Sequence, residues 1–168
     1  MEDRVGAFAD ALAAVDADFE RVLQATLSER ITEAVVPPAV GVPLSFAPGT
    51  LETTVVDVDP TPSAVVAAET GVVPGSFAVA ETGSVAIPAD SAGVEAQSLY
   101  PERLVVVVPE STIGVDLDAG MDRLASGFSS GETDVVFVTG PSATADMDGL
   151  VLGAHGPRAV TVLSVIGT

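Results

Sequence analysis

Three stretches of this 168-residue chain set polar or titratable side chains beside glycines, where a backbone can turn tightly around a ligand. The first is Ala80-Glu81-Thr82-Gly83. Glu81 offers a general base, a nucleophile or an anion that orients a hydroxyl. The plainer alternative is a carboxylate that accepts backbone N–H bonds within its own turn. The second is Thr139-Gly140-Pro141-Ser142-Ala143-Thr144-Ala145-Asp146. Gly140 permits a sharp turn, and Ser142 or Thr144 suits the cap of a following helix. The free N–H groups of such a helix would face a carboxylate or phosphate, and Asp146 would sit in its first turn. The stretch is neither a lysine-bearing phosphate loop nor a dinucleotide fingerprint, and from the residues alone capping is the favoured reading. The third is Leu152-Gly153-Ala154-His155-Gly156-Pro157. Histidine is the residue type that ordinarily titrates near neutral pH, and His155 is the only one present. A catalytic and a merely structural role for it stand level.

Composition removes several chemistries. There is no cysteine, hence no disulfide, thiolate zinc site, iron–sulfur ligation or thiol nucleophile, and one histidine cannot build a multi-histidine metal site. No redox cofactor motif is recognisable, so the expectation is that the chain carries no cofactor of its own. Asp and Glu number 24 against six basic residues, all Arg, for a net charge of −18. Without a basic cluster to neutralise phosphates, nucleic-acid binding is not expected. The complete absence of Lys reads as adaptation to molar salt, as in a halophilic archaeon, ahead of an ordinary acidic protein from a GC-rich genome or an acidic mimic of nucleic acid: at about 1 M salt the Debye length is roughly 3 Å and crowded carboxylates hardly repel. Apolar stretches such as Leu104–Val108 and Ala159–Ile166 are too short to span a bilayer. The acidic start Met1-Glu2-Asp3-Arg4 does not read as a signal peptide, and a cytoplasmic location is expected.

The elements that must position these residues follow from periodicity. Val5, Phe8, Leu12, Val15, Phe19 and Val22, continued by Leu23, Leu27 and Ile31, predict one amphipathic helix over 4–34, stopped before Pro37-Pro38. Its apolar seam suits the domain's own sheet, the favoured reading, or a partner helix or second copy in a homodimer. Residues 39–63 are Pro-rich, with a strand predicted at Glu52–Val58. Ser63–Thr70 reads as a short helix closed by Gly71. Phe77–Ala80 and Ser84–Ile87 read as strands joined by a tight turn. Beyond them come a strand at Leu104–Val108, a helix at Leu117–Gly127, a strand at Val135–Thr139, a helix at Ala145–Leu152 and a strand at Val160–Ile166. Uninterrupted Val-rich strands alternating with helices predict a mostly parallel sheet covered on both faces, a three-layer Rossmann-like α/β domain. Ligands in such sheets collect beyond the carboxyl ends of the strands, so Glu81, Ser142, Thr144 and His155 are expected to share one cleft there.

Taken together, the stretches Thr139–Met147 and Leu150–Arg158 resemble the G-P-S-x-T-A-D-I and LVLGxHGP signatures of the lactate-utilisation (LUD) domain family. Ala80-Glu81-Thr82-Gly83-Ser84 is similar to the family's A-E-T-G-[ST] turn, and Ser98-Leu99-Tyr100-Pro101 to its S-L-L-P approach to a strand. The resemblance spans about 62–168 within a single 1–168 domain, preceded by the helical segment 1–36. It implies the fold shared by glucosamine-phosphate isomerases, ribose-phosphate isomerases and CoA-transferases. It also implies a subunit or accessory protein of an L-lactate oxidation system that works with cysteine-rich iron–sulfur proteins. Glu81 and His155 would then be catalytic, and Thr82, Gly83, Gly140, Ser142, Thr144 and Asp146 would bind a small carboxylate or phosphate. The alternatives are a free-standing isomerase- or transferase-like enzyme acting on a sugar phosphate or acyl-CoA, and a non-catalytic interaction module.

Overall fold

The structure is a computed structural model that describes residues 3–89, 93–131, 134–146 and 149–167; Met1, Glu2 and Met147 of the stretches above lie outside the described residues. Its centre is an open sheet of six parallel strands. They are β1 (Asp18–Leu23), β2 (Ala39–Gly41), β3 (Val56–Asp57), β4 (Thr70–Pro74), β7 (Arg103–Pro109) and β12 (Ala159–Ile166), in the order β1-β12-β7-β4-β2-β3. The unbroken apolar run of β7 follows from burial on both faces. Leu104, Val106 and Val108 enter one core with Val160 and Val162 of β12, while Val105 and Val107 enter the opposite core with Leu163 and Val165. On the second face lie α2 (Leu27–Ala34), through Leu27 and Ile31, and the loop carrying Leu44, Ala47 and Leu51.

The first face is covered by α1 (Arg4–Ala14), through Phe8 and Leu12, and by a second, four-stranded sheet. That sheet contains β5 (Phe77–Val79), β6 (Ser84–Pro88), β8 (Ile113–Gly114) and β9 (Val135–Val138) in the order β8-β5-β6-β9. β5 and β6 form an antiparallel hairpin, β8 joins β5 in parallel and β9 joins β6 antiparallel. Strand alternation divides its residues. Ala78, Val85 and Ile87 face the main core, whereas Phe77, Val79 and Ala86 face outward under α5 (Leu117–Ser130). The short helices α3 (Pro62–Ala67) and α4 (Val94–Leu99) complete the connections, and a two-stranded ribbon, β10 (Ala143–Asp146) with β11 (Gly149–Leu152), precedes β12. The domain is thus the three-layer, mostly parallel α/β fold expected, with the small sheet forming part of one outer layer.

Several local expectations are corrected. The segment 4–34 is not one helix. α1 ends where Asp16 adopts φ 58, and Asp18–Leu23 becomes an edge strand because β12 offers it a parallel ladder from Asp18↔Thr161 to Leu23↔Ile166. The two helical pieces that remain pack on the domain's own sheet. The strand expected at Glu52–Val58 shrinks to β3, since Thr50 and Thr54 turn their hydroxyls onto the carbonyls of Ala47 and Leu51 and stabilise turns instead. Gly71 closes no helix: it lies inside β4, level with Val40 and Leu104. Val135–Val138 is a strand but belongs to the small sheet. Ala145–Leu152 contains no helix among the described residues, its ends being the antiparallel strands β10 and β11.

Most bases are committed to ion pairs. Arg21 reaches across from β1 and meets Glu110 with Nε–Oε2 at 2.6 Å and Nη2–Oε1 at 2.8 Å. The side-chain hydrogen bond first, and the attraction of the Glu110 charge second, raise the Arg21 pKa above its ordinary range. Arg30 pairs with Glu20 and Glu33, Arg103 with Glu69 and Arg158 with Glu102. The remaining carboxylates repel one another in the compact state. The melting temperature, followed by circular dichroism, is therefore expected to rise between about 0.1 M and about 3 M KCl as screening shortens that repulsion. Equal melting temperatures at both ends of the series would refute it.

Candidate functional site

Both glycine-bearing turns rest on the end of α1. Gly83, in the β5–β6 turn, has φ +66, and a Cβ there would come within 3.0 Å of the Ala11 carbonyl carbon and 3.1 Å of the Leu12 nitrogen. Gly140, after β9, has φ +72, and a Cβ would lie 2.7 Å from the Val15 carbonyl oxygen. Only a residue without a side chain combines that backbone conformation with so close an approach. A chain of hydroxyls ties the two turns together. Thr82 Oγ1 donates to Ser84 Oγ at 2.8 Å, and Ser84 Oγ lies 2.6 Å from Thr139 Oγ1. The Glu81 Oε2 accepts from the Leu117 N–H at 3.1 Å, so one carboxylate oxygen is held at the positive N-terminal end of α5.

Ser142 is braced on the histidine loop rather than on a helix. Its N–H donates to the Pro157 carbonyl at 2.8 Å and its carbonyl accepts from the Gly153 N–H at 2.9 Å. Gly156 sits against it, since a Cβ there would lie 3.3 Å from the Ser142 Cβ. Thr144 stands opposite Val151, and Asp146 opposite Gly149, in the β10–β11 ribbon. The proposed helix N-terminus at Ser142–Asp146 is therefore replaced by a strand, and no row of free helix N–H groups is available there to bind an anion.

His155 lines a hollow of about 360 Å³ together with Leu99, Tyr100, Pro101 and Glu102, so the two loops that lead into β7 and β12 enclose it. A second hollow, of about 350 Å³, is lined by Val15, Asp16, Thr139, Pro141, Leu152 and Arg158, among others. The Arg158–Glu102 pair, Nε to Oε2 at 2.8 Å, links the rims of the two, because Glu102 lines the first and Arg158 the second. Arg158 also supplies the only positive charge among the residues lining either hollow. Its N–H donates to the Glu102 carbonyl, and Ala159, the next residue, is level with Arg103 at the start of β7. The hollows thus lie at the amino ends of β7 and β12, not at the carboxyl ends as expected. Glu81 lines neither of them. The cause is topological: β9 ends in the small sheet and not beside β12, so the Thr139 turn approaches β12 from its beginning.

The structure accordingly joins Ser142 to the His155 loop, joins Thr82 and Gly83 to the Thr139–Gly140 turn through Ser84, and gives Glu81 a separate anchor on α5. It also brings in Arg158, Glu102, Tyr100 and Asp16, which the sequence reading did not single out as site residues. Arg158 directly follows the motif residue Pro157 and was open to inspection. Asp16 carries no sequence signal, lying inside the helical stripe predicted over 4–34. Among the described residues no group of three or more His, Asp or Glu side chains could hold a metal ion. No helix among them is long and apolar enough to cross a membrane.

The profile of the LUD domain matches residues 49–165, more than half the chain and inclusive of every motif above. The chain belongs to the LUD domain family. Among curated proteins, this LUD domain is 29% identical over 102 residues to lactate utilization protein C of Oceanobacillus iheyensis, covering 58% of this chain and 44% of that one. It is 36% identical over 95 residues to lactate utilization protein C 1 of Bacillus mycoides, covering 54% and 41%. The matched part therefore spans less than half the length of these relatives. They are bacterial and lend no support to a halophilic archaeon as the source. A crystal structure of a DUF162 family protein from Deinococcus radiodurans matches with a TM-score of 0.77 at 22% identity, over 98% of this chain and 97% of that one. That likeness carries the fold, including α1 and β1, which lie outside the profile match.

Proposed function

We propose that this LUD domain is a subunit or accessory protein in lactate utilisation, and that it holds a small carboxylate between the Ser98–Glu102 and Gly153–Arg158 loops. The observation that carries this reading is the meeting of those two loops around His155, with the Arg158 guanidinium at the rim. A ligand carboxylate would take over the guanidinium face now given to Glu102, a charge-assisted pairing well suited to arginine. The His155 imidazole would stand beside the hydroxyl of a 2-hydroxy acid as a general base. Oxidising such an acid removes two electrons, and no side chain here accepts them. With no cysteine in the sequence, the chain offers no thiolate for a cluster, and the electrons pass to a bound cofactor or to the iron–sulfur partner proteins that the family resemblance implies. The relatives' name, lactate utilization protein C, supports the assignment to lactate utilisation.

Thermal-shift and calorimetric titrations with lactate, pyruvate, ribose 5-phosphate and CoA test the reading. Lactate or pyruvate is expected to bind, and Arg158→Gln to weaken it by about tenfold, the worth of one hydrogen bond to a charged group. His155→Gln is expected to abolish lactate-dependent growth while leaving the melting temperature nearly unchanged. A response to ribose 5-phosphate or CoA alone would favour an isomerase- or transferase-like enzyme. Undiminished growth on lactate after deletion of the gene, without a compensating paralogue, would remove the lactate assignment.

A further inference from the structure

We propose that the flank of α5 beside β9 is a docking surface for a basic amphipathic helix of a partner protein. Leu117, Met121 and Phe128 follow one another at steps of four and seven, which sets them within about 40° of arc on the helix. Leu124 shares that side and packs onto Phe77 and Val79, yet the other three stay roughly half exposed, at 45%, 45% and 47%. Phe77, buried beneath the helix, meets Phe137 edge-on with ring centroids 5.9 Å apart, and Phe137 on β9 is itself 38% exposed. α5 packs on β5 and β8, so the outer face of β9, an edge strand, lies beyond it. Exposed large apolar side chains gathered on one flank mark an interaction surface more often than scattered ones do.

Charge selects the occupant. Asp118 and Asp122 each follow one of the exposed apolar residues and form the outer rim of the patch. Arg123, the one base on α5, is about 120–160° round the helix from the three exposed apolar residues. A second copy of the chain would bring its own net charge of −18 against that rim, and an anionic lipid surface would be repelled likewise. A helix with apolar residues at i, i+4 and i+7 flanked by Lys or Arg fits both the patch and the rim. This inference concerns neither hollow and does not rest on the lactate reading.

The chain has no Trp, so a synthetic Leu/Lys amphipathic helix bearing a single Trp reports its own binding to the full chain by fluorescence. It is expected to bind at least about tenfold more tightly than a scrambled peptide of equal composition or a Leu/Glu twin, the range of a hot-spot contact. Met121→Ser with Phe128→Ser is expected to lose that advantage, circular dichroism serving to establish that the variant is folded. Asp118→Asn with Asp122→Asn is expected to weaken binding several-fold and flatten its salt dependence. On the unaltered chain, amide NMR shifts caused by the Leu/Lys helix are expected to fall on α5 and β9. Equal binding of the scrambled peptide, shifts elsewhere, or a dimer in sedimentation that the Met121→Ser and Phe128→Ser changes dissolve would overturn the proposal.

Discussion

Phe8→Ala is expected to destabilise the domain by about 3–5 kcal/mol, the usual cost of emptying a fully buried aromatic site. Phe8 has no exposed surface, packs edge-on against Phe19 with ring centroids 5.5 Å apart, and anchors α1 to the main core beside Leu12. The loss should not stop at packing. Ala11, Leu12 and Val15 are the seat of both glycine turns, so loosening α1 withdraws support from Gly83 and Gly140 together. Denaturant melts measure the first effect, and hydrogen exchange at the two turns measures the second. A variant that loses stability while both turns keep full protection would show that α1 does not hold them.

Gly140→Ala is expected to cost about 2–4 kcal/mol, combining left-handed backbone strain with overpacking. The new methyl would stand 2.7 Å from the Val15 carbonyl oxygen and 2.9 Å from its Cγ2. Backbone cannot give way as a flexible side chain would, so the turn itself must shift and carry Thr139 off the Ser84 hydroxyl. Gly49→Ala is the control, because its φ of +78 imposes the same conformational strain with nothing within 4 Å of a Cβ. The difference between the two variants, read from denaturant midpoints, isolates the contact with Val15. Equal losses would assign the whole effect to dihedral strain and none to the seat on α1.

What could be read from the sequence was what is locally determined. β7 and β12 announced themselves because burial on both faces demands an unbroken Val-rich run. The hairpin around Glu81-Thr82-Gly83 was marked by its own turn residues. Asp18–Leu23 was not legible: Phe19 and Val22 satisfy a helical stripe as well as a strand, and the decision belongs to β12, some 140 residues away in the chain. Ala143–Leu152 failed for a different reason. Both strands of the ribbon are exposed wherever their burial is described, so no alternation was imposed on them. The site was half legible. Ser142 meets the Gly153–Pro157 loop that carries His155, but the end of the sheet at which they meet depends on β9 joining the small sheet, which no local pattern encodes.

The pairing of β1 with β12 also sets a timetable. During synthesis at about 5–20 residues per second, the chain between Leu23 and Ala159 takes roughly 7–30 s to emerge. Throughout that interval β1 has been made and its neighbour in the sheet has not. Closing so long a loop is entropically expensive and slow, which is typical of folds dominated by distant contacts. Phe19 and Val22 are therefore uncovered early and sheltered last. On this schedule the N-terminal segment is the part of the nascent domain most dependent on chaperones, and β1 the strand at which premature association would begin.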